Sequence, residues 1–504
     1  MRLKAPVWAV VVLAALAALV AVPAATTAPA AFPLSESQGF RKAVTVPGIR
    51  AHQSALQTIA TANGGVRASG TGGYDDSVDY VVDKLEDVGY SPTVQPFDFA
   101  FFRELAPAVL EQVSPTPTTY STGTFTYSGS GDITAAVTAV DVVIPPTPAP
   151  SSTSGCEAAD FAGFPAGNVA LIQRGTCTFQ VKAENAQAAG ASAVVIFNEG
   201  QPGRTDLIVG TLGAPTVAIP VVGLSFADGE AIVAQVLGGA IVTLHVFTST
   251  ESEIRETFNV IAETETGDPN KVVVIGAHLD SVLAGPGIND NGSGSGTILE
   301  VAEVFAEQGR EARNKLRFMW YGAEEFSLLG SDFYVDGLSQ AERDKIALML
   351  NFDMVGSPNF VRFVYDGDGS HTPVAGPPGS AAIEQVFLDY FSGVGLLNAP
   401  TAFDGRSDYG PFIAVGIPAG GLFTGAEGQK TAQQAIDYGG TAGIQYDPCY
   451  HQACDTFAGT GSGAGSTAPG RGLIALDQMS DAVAHAVLLW SKRNFDKEPL
   501  VPAP

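Results

Sequence analysis

Apolar positions recur at helical spacing in Arg50-Ala-His-Gln-Ser-Ala-Leu-Gln-Thr-Ile-Ala, and again in Tyr74-Asp-Asp-Ser-Val-Asp-Tyr-Val-Val-Asp-Lys-Leu. Each predicts an amphipathic helix, the second ending near Gly89. Residues 93–99 alternate apolar and polar, the period of a half-buried strand. From about residue 109 to 247 Thr, Ser, Gly and Val dominate, and the β-branched runs 135–143 and 217–222 read as strands. Between them lie a strand that opens Gly167-Asn-Val-Ala-Leu-Ile-Gln-Arg-Gly-Thr-Cys-Thr-Phe, a helix over 181–189 and a strand over 193–197. From about residue 253 strands and helices alternate. Strands are expected at 259–263, 271–277, 315–321 and 347–352, and helices at 298–308, 381–390 and 473–491. That alternation predicts an α/β layer fold around a central sheet, with reactive groups gathered at strand ends. The Gly/Ser-rich stretch 456–472 reads as a flexible loop.

Bulk properties narrow the classes. The 504 residues carry a formal net charge of −26, which disfavours nucleic acid and anionic membranes as partners. Met1-Arg2-Leu3-Lys4 is basic, an apolar run extends to about Val22, and small residues follow at Ala24, Ala25, Ala28 and Ala30. This layout predicts a signal peptide over residues 1–30, hence secretion and no stable membrane association after cleavage; the alternative is a membrane anchor, for which the Ala- and Val-rich run is short. The four cysteines, Cys156, Cys177, Cys449 and Cys454, permit three pairings, and proximity in sequence favours 156 with 177 and 449 with 454.

Five short motifs carry chemistry. Gly276-Ala-His-Leu-Asp-Ser places His278 where an apolar strand meets solvent. Asp280, two residues on, is on the same side of an extended chain and can orient the imidazole from the second shell of a metal site. Gly287-Ile-Asn-Asp-Asn-Gly-Ser-Gly leads into a helix, and Asp290 there can bridge two cations or serve as an acidic helix cap. Trp320-Tyr-Gly-Ala-Glu-Glu-Phe sets Glu324 and Glu325 directly after an apolar strand, so one can bind metal while the other faces water. Asp353 closes the apolar run Leu348-Met-Leu-Asn-Phe-Asp, where a buried carboxylate requires a counter-charge. Asp447-Pro-Cys-Tyr-His-Gln-Ala-Cys-Asp places Tyr450 and His451 inside a loop that a Cys449–Cys454 bridge would close. Each motif alone has a structural explanation. Together they offer nitrogen and oxygen donors without thiolates, the ligand chemistry of a two-zinc hydrolase.

The run of motifs resembles the secreted bacterial aminopeptidase family of co-catalytic zinc peptidases. That family also includes glutamate carboxypeptidase relatives and, as a non-enzyme, the transferrin receptor. The resemblance spans residues 50–102 and 258–493, and the stretch around Arg174 and Cys177 resembles the protease-associated domain. It implies a zinc peptidase domain with a central mixed β-sheet flanked by helices, plus a small inserted β-rich domain. The division implied is 34–110 and 251–496 for the peptidase, with 111–250 inserted. Carried over by motif, Asp290 bridges two Zn2+ ions, His278 and Asp353 complete one site, and Glu325 and His451 complete the other. Glu324 is then the general base, Tyr450 stabilises the oxyanion, and Arg406 in Asp404-Gly-Arg-Ser-Asp-Tyr lies near the substrate backbone. Many relatives have His where this chain has Tyr409. The expected substrate is a peptide with a free N-terminus, with large apolar N-terminal residues preferred, and the expected state is a monomer. A metallocarboxypeptidase of the same fold and a non-catalytic binding protein remain as alternatives.

Overall fold

The computed structural model describes residues 32–144, 152–462 and 470–500. The expected signal peptide, residues 1–30, lies outside the described residues. Helices α1 (Leu34–Arg41), α2 (Val46–Ala62) and α3 (Gly72–Asp87) come first. Strand β1 (Thr93–Ser114) then runs past the expected strand at 93–99, with the short β2 (Thr118–Thr119) after it. The inserted part contains β3 (Gly131–Val140), β4 (Val169–Gln173), α4 (Phe179–Ala188), β5 (Ala193–Phe197), β6 (Val221–Leu224) and α5 (Phe226–Leu237). Strand β7 (Thr243–Glu263) returns antiparallel along β1, from Thr243 beside Ser114 to Ile261 beside Thr93. Residues 110 and 251 therefore both lie within this long two-stranded ladder.

The remainder alternates as its sequence pattern predicts. Strand β8 (Asp268–His278) leads to α6 (Gly292–Glu307), and β9 (Asn314–Tyr321) to α7 (Leu329–Gly337) and α8 (Gln340–Arg343). Then come β10 (Ile346–Phe352), β11 (Phe363–Tyr365), α9 (Ser380–Val394), β12 (Ala399–Thr401), α10 (Tyr409–Ala414) and β13 (Ala419–Phe423). Helices α11 (Ala432–Tyr438), α12 (Phe457–Ser462) and α13 (Arg471–Lys492) complete the chain. The strands form one path in the order β12-β11-β13-β10-β8-β9-β7-β3-β4-β5-β6. Strands β13, β10, β8 and β9 are mutually parallel, and antiparallel neighbours flank them on both sides.

Alternation of side chains along these central strands feeds two cores. Val273, Ile275, Leu316, Phe318, Leu348 and Leu350 face α2, α3, α6, α9 and α13. Val272, Val274, Met319 and Met349 face Tyr334 and Val335 of α7 and Phe412 of α10. Covering both faces of a sheet makes its strands continuously apolar, which is why they read as unbroken runs. The inserted unit repeats the arrangement: Leu171 and Val195 meet Ile232 of α5, while Ile172 and Ile196 face the layer containing Ala183 and Ala186 of α4. Among the described residues only α13 is long and apolar enough to cross a membrane, and that stretch is 72% buried inside the protein, as a core helix is.

Two of three local departures from the sequence pattern have physical causes. The run 217–222 joins the sheet only from Val221, because Pro220 has no N–H to donate to a ladder. Helix α6 starts at Gly292, six residues before the expected start. Asn291 accepts the N–H of Gly294 and caps it, so a Gly/Ser stretch of poor helix propensity becomes its first turn. The expected loop 456–472 contains α12, while α13 begins at Arg471.

His485 of α13, 2% exposed, meets Ser37 of α1, with Nδ1 2.8 Å from Oγ. Burial first, and the nearby Arg41 cation second, push its pKa down to about 4. An unfolded histidine titrates near 6.5, so between these values the unfolded chain binds a proton that the native chain does not, and stability falls with pH. On lowering the pH from 7.5 to 5, urea unfolding is expected to show wild type losing about 2 kcal/mol more than His485→Gln.

Candidate metal centre

Because β8, β9 and β10 are parallel, their carboxyl ends lie at one edge, and the loops that leave them meet. His278 is the last residue of β8, Asp353 follows β10 directly, and Glu324 and Glu325 follow β9 after a two-residue turn. Asp290 comes from the loop before α6. His451 arrives from the loop beyond β13, inside the ring closed by the Cys449–Cys454 disulfide. The second predicted disulfide, Cys156–Cys177, is also formed.

These side chains converge. His278 Nε2 lies 3.2 Å from Asp290 Oδ1 and 3.3 Å from Asp353 Oδ1. His451 Nε2 lies 3.3 Å from Asp290 Oδ2 and 3.0 Å from Glu325 Oε2. The two oxygens of Asp290 thus face two separate sets of donors. Glu324 completes a further group with His278 and Asp353, their donor atoms within 4.8 Å of one another. All but His451 are largely buried, Glu324 at 9% exposure and Asp290 at 5%.

The charges do not balance without a cation. Burial drives Glu324 well above the ordinary carboxylate range; His278 opposes this, and Asp353 and Glu325 add to it. Burial and then the Asp290 charge push Glu325 up to about 8. Burial alone would lower His451, but the facing carboxylates of Asp290 and Glu325 raise it to about 10. Asp290 is also raised by burial, yet His278 and His451 hold it below its ordinary value. Each shift follows from acids crowded together with only imidazoles between them. One N–H of a histidine cannot satisfy two carboxylates, and Asp290 Oδ2 and Glu325 Oε1 have no hydrogen-bond partner. Separations of 3.0–3.3 Å match the donor–donor edge of a zinc tetrahedron, about 3.3 Å for bonds of 2.0–2.1 Å. The residues present fit divalent ions.

The surroundings hold each donor in place. Asn291, not Asp290, caps α6; it also accepts from Met354 N and donates to Phe352 O, tying both neighbours of Asp353 to the helix start. A side chain at Gly294 would meet Phe352 O at 2.0 Å, so that approach requires glycine. Asp455 accepts the backbone N–H groups of Asn289 and Asp290 at 2.7 and 2.9 Å. Ser407 donates to Asp353 Oδ2 at 2.7 Å and accepts from Asn351. Arg67, fully buried, donates to the carbonyls of Leu279, Pro286 and Gly287 and so braces the loop that leads to Asp290. The Glu324–Glu325 turn has positive φ at Ala323, Ser327 and Leu328, and Phe326 pins it against Phe99 and Phe101 of β1.

The remaining expected residues are placed as follows. Asp280 is fully buried; its main-chain oxygen lies 3.2 Å from His278 Nδ1, nearer than its carboxylate at 3.5 Å, which instead accepts the N–H of Glu324. Tyr450 stacks on His451 with ring centroids 3.8 Å apart, and Arg406 Nη2 donates to its hydroxyl oxygen at 3.1 Å. Tyr409 is buried: its hydroxyl accepts the N–H groups of Asp404 and Gly405 and donates to Asp404, fixing the turn that carries Arg406. Arg67, Ser407 and Asn291 escaped sequence reasoning. Asp447 and Asp455 are the first and last residues of the cysteine motif, which gave them no role of their own.

Comparison with known proteins points the same way. The model of "Peptidase family M28" matches residues 259–464, and that of "PA domain" matches 137–232. An aminopeptidase of Pseudomonas aeruginosa strain PAO1 is 50% identical over 411 residues, 80% of this chain and 75% of that protein. A probable leucine aminopeptidase 2 of Aspergillus fumigatus is 42% identical over 398 residues, 78% of this chain and 74% of that protein. Among solved structures, the aminopeptidase from Aneurinibacillus sp. strain AM-1 aligns with a TM-score of 0.61 and 27% identity, covering 93% of this chain and 98% of that one. BSAP, a zinc aminopeptidase from Bacillus subtilis, shares the fold at a TM-score of 0.55 and 24% identity, covering 89% and 96%.

If divalent ions offset the crowded acids, removing them destabilises the fold. Chelation is expected to lower the thermal midpoint of wild type by several degrees and zinc to restore it, a loss of about 3 kcal/mol of linked binding energy. Asp290→Ala should abolish most of the zinc-dependent rise, read by differential scanning calorimetry.

Proposed function

The chain belongs to peptidase family M28 and carries a PA domain; from that premise we propose that it is an exported zinc aminopeptidase that removes N-terminal residues from peptides. The observation that carries this reading is Asp290, whose two oxygens face two different donor sets. Two zinc ions would be held there, one by His278, Asp290 and Asp353, the other by Asp290, Glu325 and His451. When bound, they supply Lewis acidity and lower the pKa of the attacking water.

The protein's own groups do the rest. Glu324 stands among the ligands, bound to none of the histidines, and takes a proton from the attacking water before handing it to the leaving amine. Its low exposure suits this, since burial brings a carboxylate's affinity for protons toward neutral pH. The Tyr450 hydroxyl, at the rim of the same cleft, donates to the developing oxyanion. Arg406 lies beside it, against the peptide backbone. The acids around the ions attract a free α-amino group, which restricts cleavage to the first peptide bond. A cavity of about 460 Å³ adjoins the metal centre, and Leu328, Met354, Tyr365, Phe423 and Ala426 line part of it. That lining suits a large apolar N-terminal side chain, in keeping with relatives named leucine aminopeptidase.

Export is supported by the two disulfides, which persist in oxidising compartments. We assign residues 34–110 and 251–496 to the peptidase unit and 111–250 to the insertion, joined through the β1–β7 ladder.

Glu324→Ala is expected to retain two zinc ions per chain by elemental analysis while turnover of leucine p-nitroanilide falls about a hundredfold or more. Retention of over about a tenth of the rate would refute the base assignment. N-acetyl-leucine p-nitroanilide should resist the wild-type enzyme; cleavage of it as fast as the free amine would point to another specificity.

A further inference from the structure

Glu427 follows β13 on the rim of the cleft and belongs to none of the five motifs. Its Oε1 accepts from Arg406 Nη1 at 2.8 Å, while Arg406 Nη2 donates to the Tyr450 hydroxyl oxygen at 3.1 Å. A guanidinium has donors only, so the tyrosine oxygen must be the acceptor in that contact. The phenol hydrogen is then left to turn away from Arg406. The arginine backbone is already fixed: its N–H donates to Asp404, in the turn that Tyr409 holds. Its long side chain is not, being 55% exposed, and among the described residues Glu427 is the one carboxylate paired with it.

We propose that Glu427 is a positioning residue: it clamps Arg406 so that the guanidinium occupies one side of the Tyr450 oxygen and the hydroxyl hydrogen is aimed into the cleft. This rests on the oxyanion role given to Tyr450 above. An exposed ion pair of this kind contributes little to folding. Its loss therefore leaves stability nearly unchanged, and the effect falls on the orientation of one reactive group. The Tyr450 hydrogen bond strengthens as the oxyanion forms, so loss of the clamp falls on kcat more than on KM.

The test is a double-mutant cycle of Glu427→Gln and Tyr450→Phe, with kcat and KM measured on leucine p-nitroanilide and zinc content and melting temperature recorded for each variant. Tyr450→Phe is expected to lower kcat about a hundredfold. Glu427→Gln should lower kcat roughly three- to tenfold, with KM within about twofold and zinc content and melting unchanged. In the Tyr450→Phe background, Glu427→Gln should change kcat by less than about twofold, because the group it orients is gone. A wild-type kcat for Glu427→Gln, a change confined to KM, or an undiminished effect in the Tyr450→Phe background overturns the inference alone. A wild-type kcat for Tyr450→Phe overturns the oxyanion role and the inference together.

Discussion

Four carboxylates share one small volume with two imidazoles at the carboxyl edge of a parallel sheet, and the rest of the centre is arranged around that repulsion. At an effective dielectric of about 20, two like charges 4 Å apart repel by about 4 kcal/mol, so the cluster works against the fold unless cations occupy it. The protonation shifts express the same strain. Glu324 and Glu325 rise, and both histidines rise against the lowering effect of burial. A site of this kind trades local stability for strong, oriented binding of divalent ions.

Rigidity around the cluster is what makes the trade work. Three buried side chains tie the donor loops, Arg67 the loop after β8, Asp455 the backbone at Asp290 and Ser407 the Asp353 carboxylate, and a disulfide closes the loop around His451. The turn bearing Glu324 and Glu325 has three non-glycine residues in the left-handed region, each costing of order 1 kcal/mol or more. Phe326, seated on the aromatic side chains of β1, offsets part of that cost. Since β1 continues out to the inserted unit, the ladder that joins the two parts of the molecule also backs the turn that bears Glu324 and Glu325.

Much of the fold was legible because both faces of the sheet are covered. Continuous apolar runs at 271–277, 315–321 and 347–352 became β8, β9 and β10, and the residue types that end them carry the site. What the pattern concealed was governed by tertiary contact. The Gly/Ser run after Asp290 looks like a loop by propensity, yet the close approach of Phe352 and the Asn291 cap make it helix. Arg67 and Ser407 lie far in sequence from the residues they support, Asp290 and Asp353, and match no spacing rule. Glu427 sits in an unremarkable loop, and only its pairing with Arg406 distinguishes it.

By itself, the sequence determined the inventory: which strands are apolar enough to be central, which acids and histidines follow them, and which cysteines lie close enough to pair. These are properties of local pattern and composition. Tertiary structure decided which oxygen of Asp290 faces which histidine, that Asp280 presents its main-chain oxygen closest to His278, and that Tyr409 braces the turn that carries Arg406. The reason is physical. Donor geometry at the level of 3 Å depends on how separate strands and loops register against one another, and that registration is set by packing among residues hundreds of positions apart.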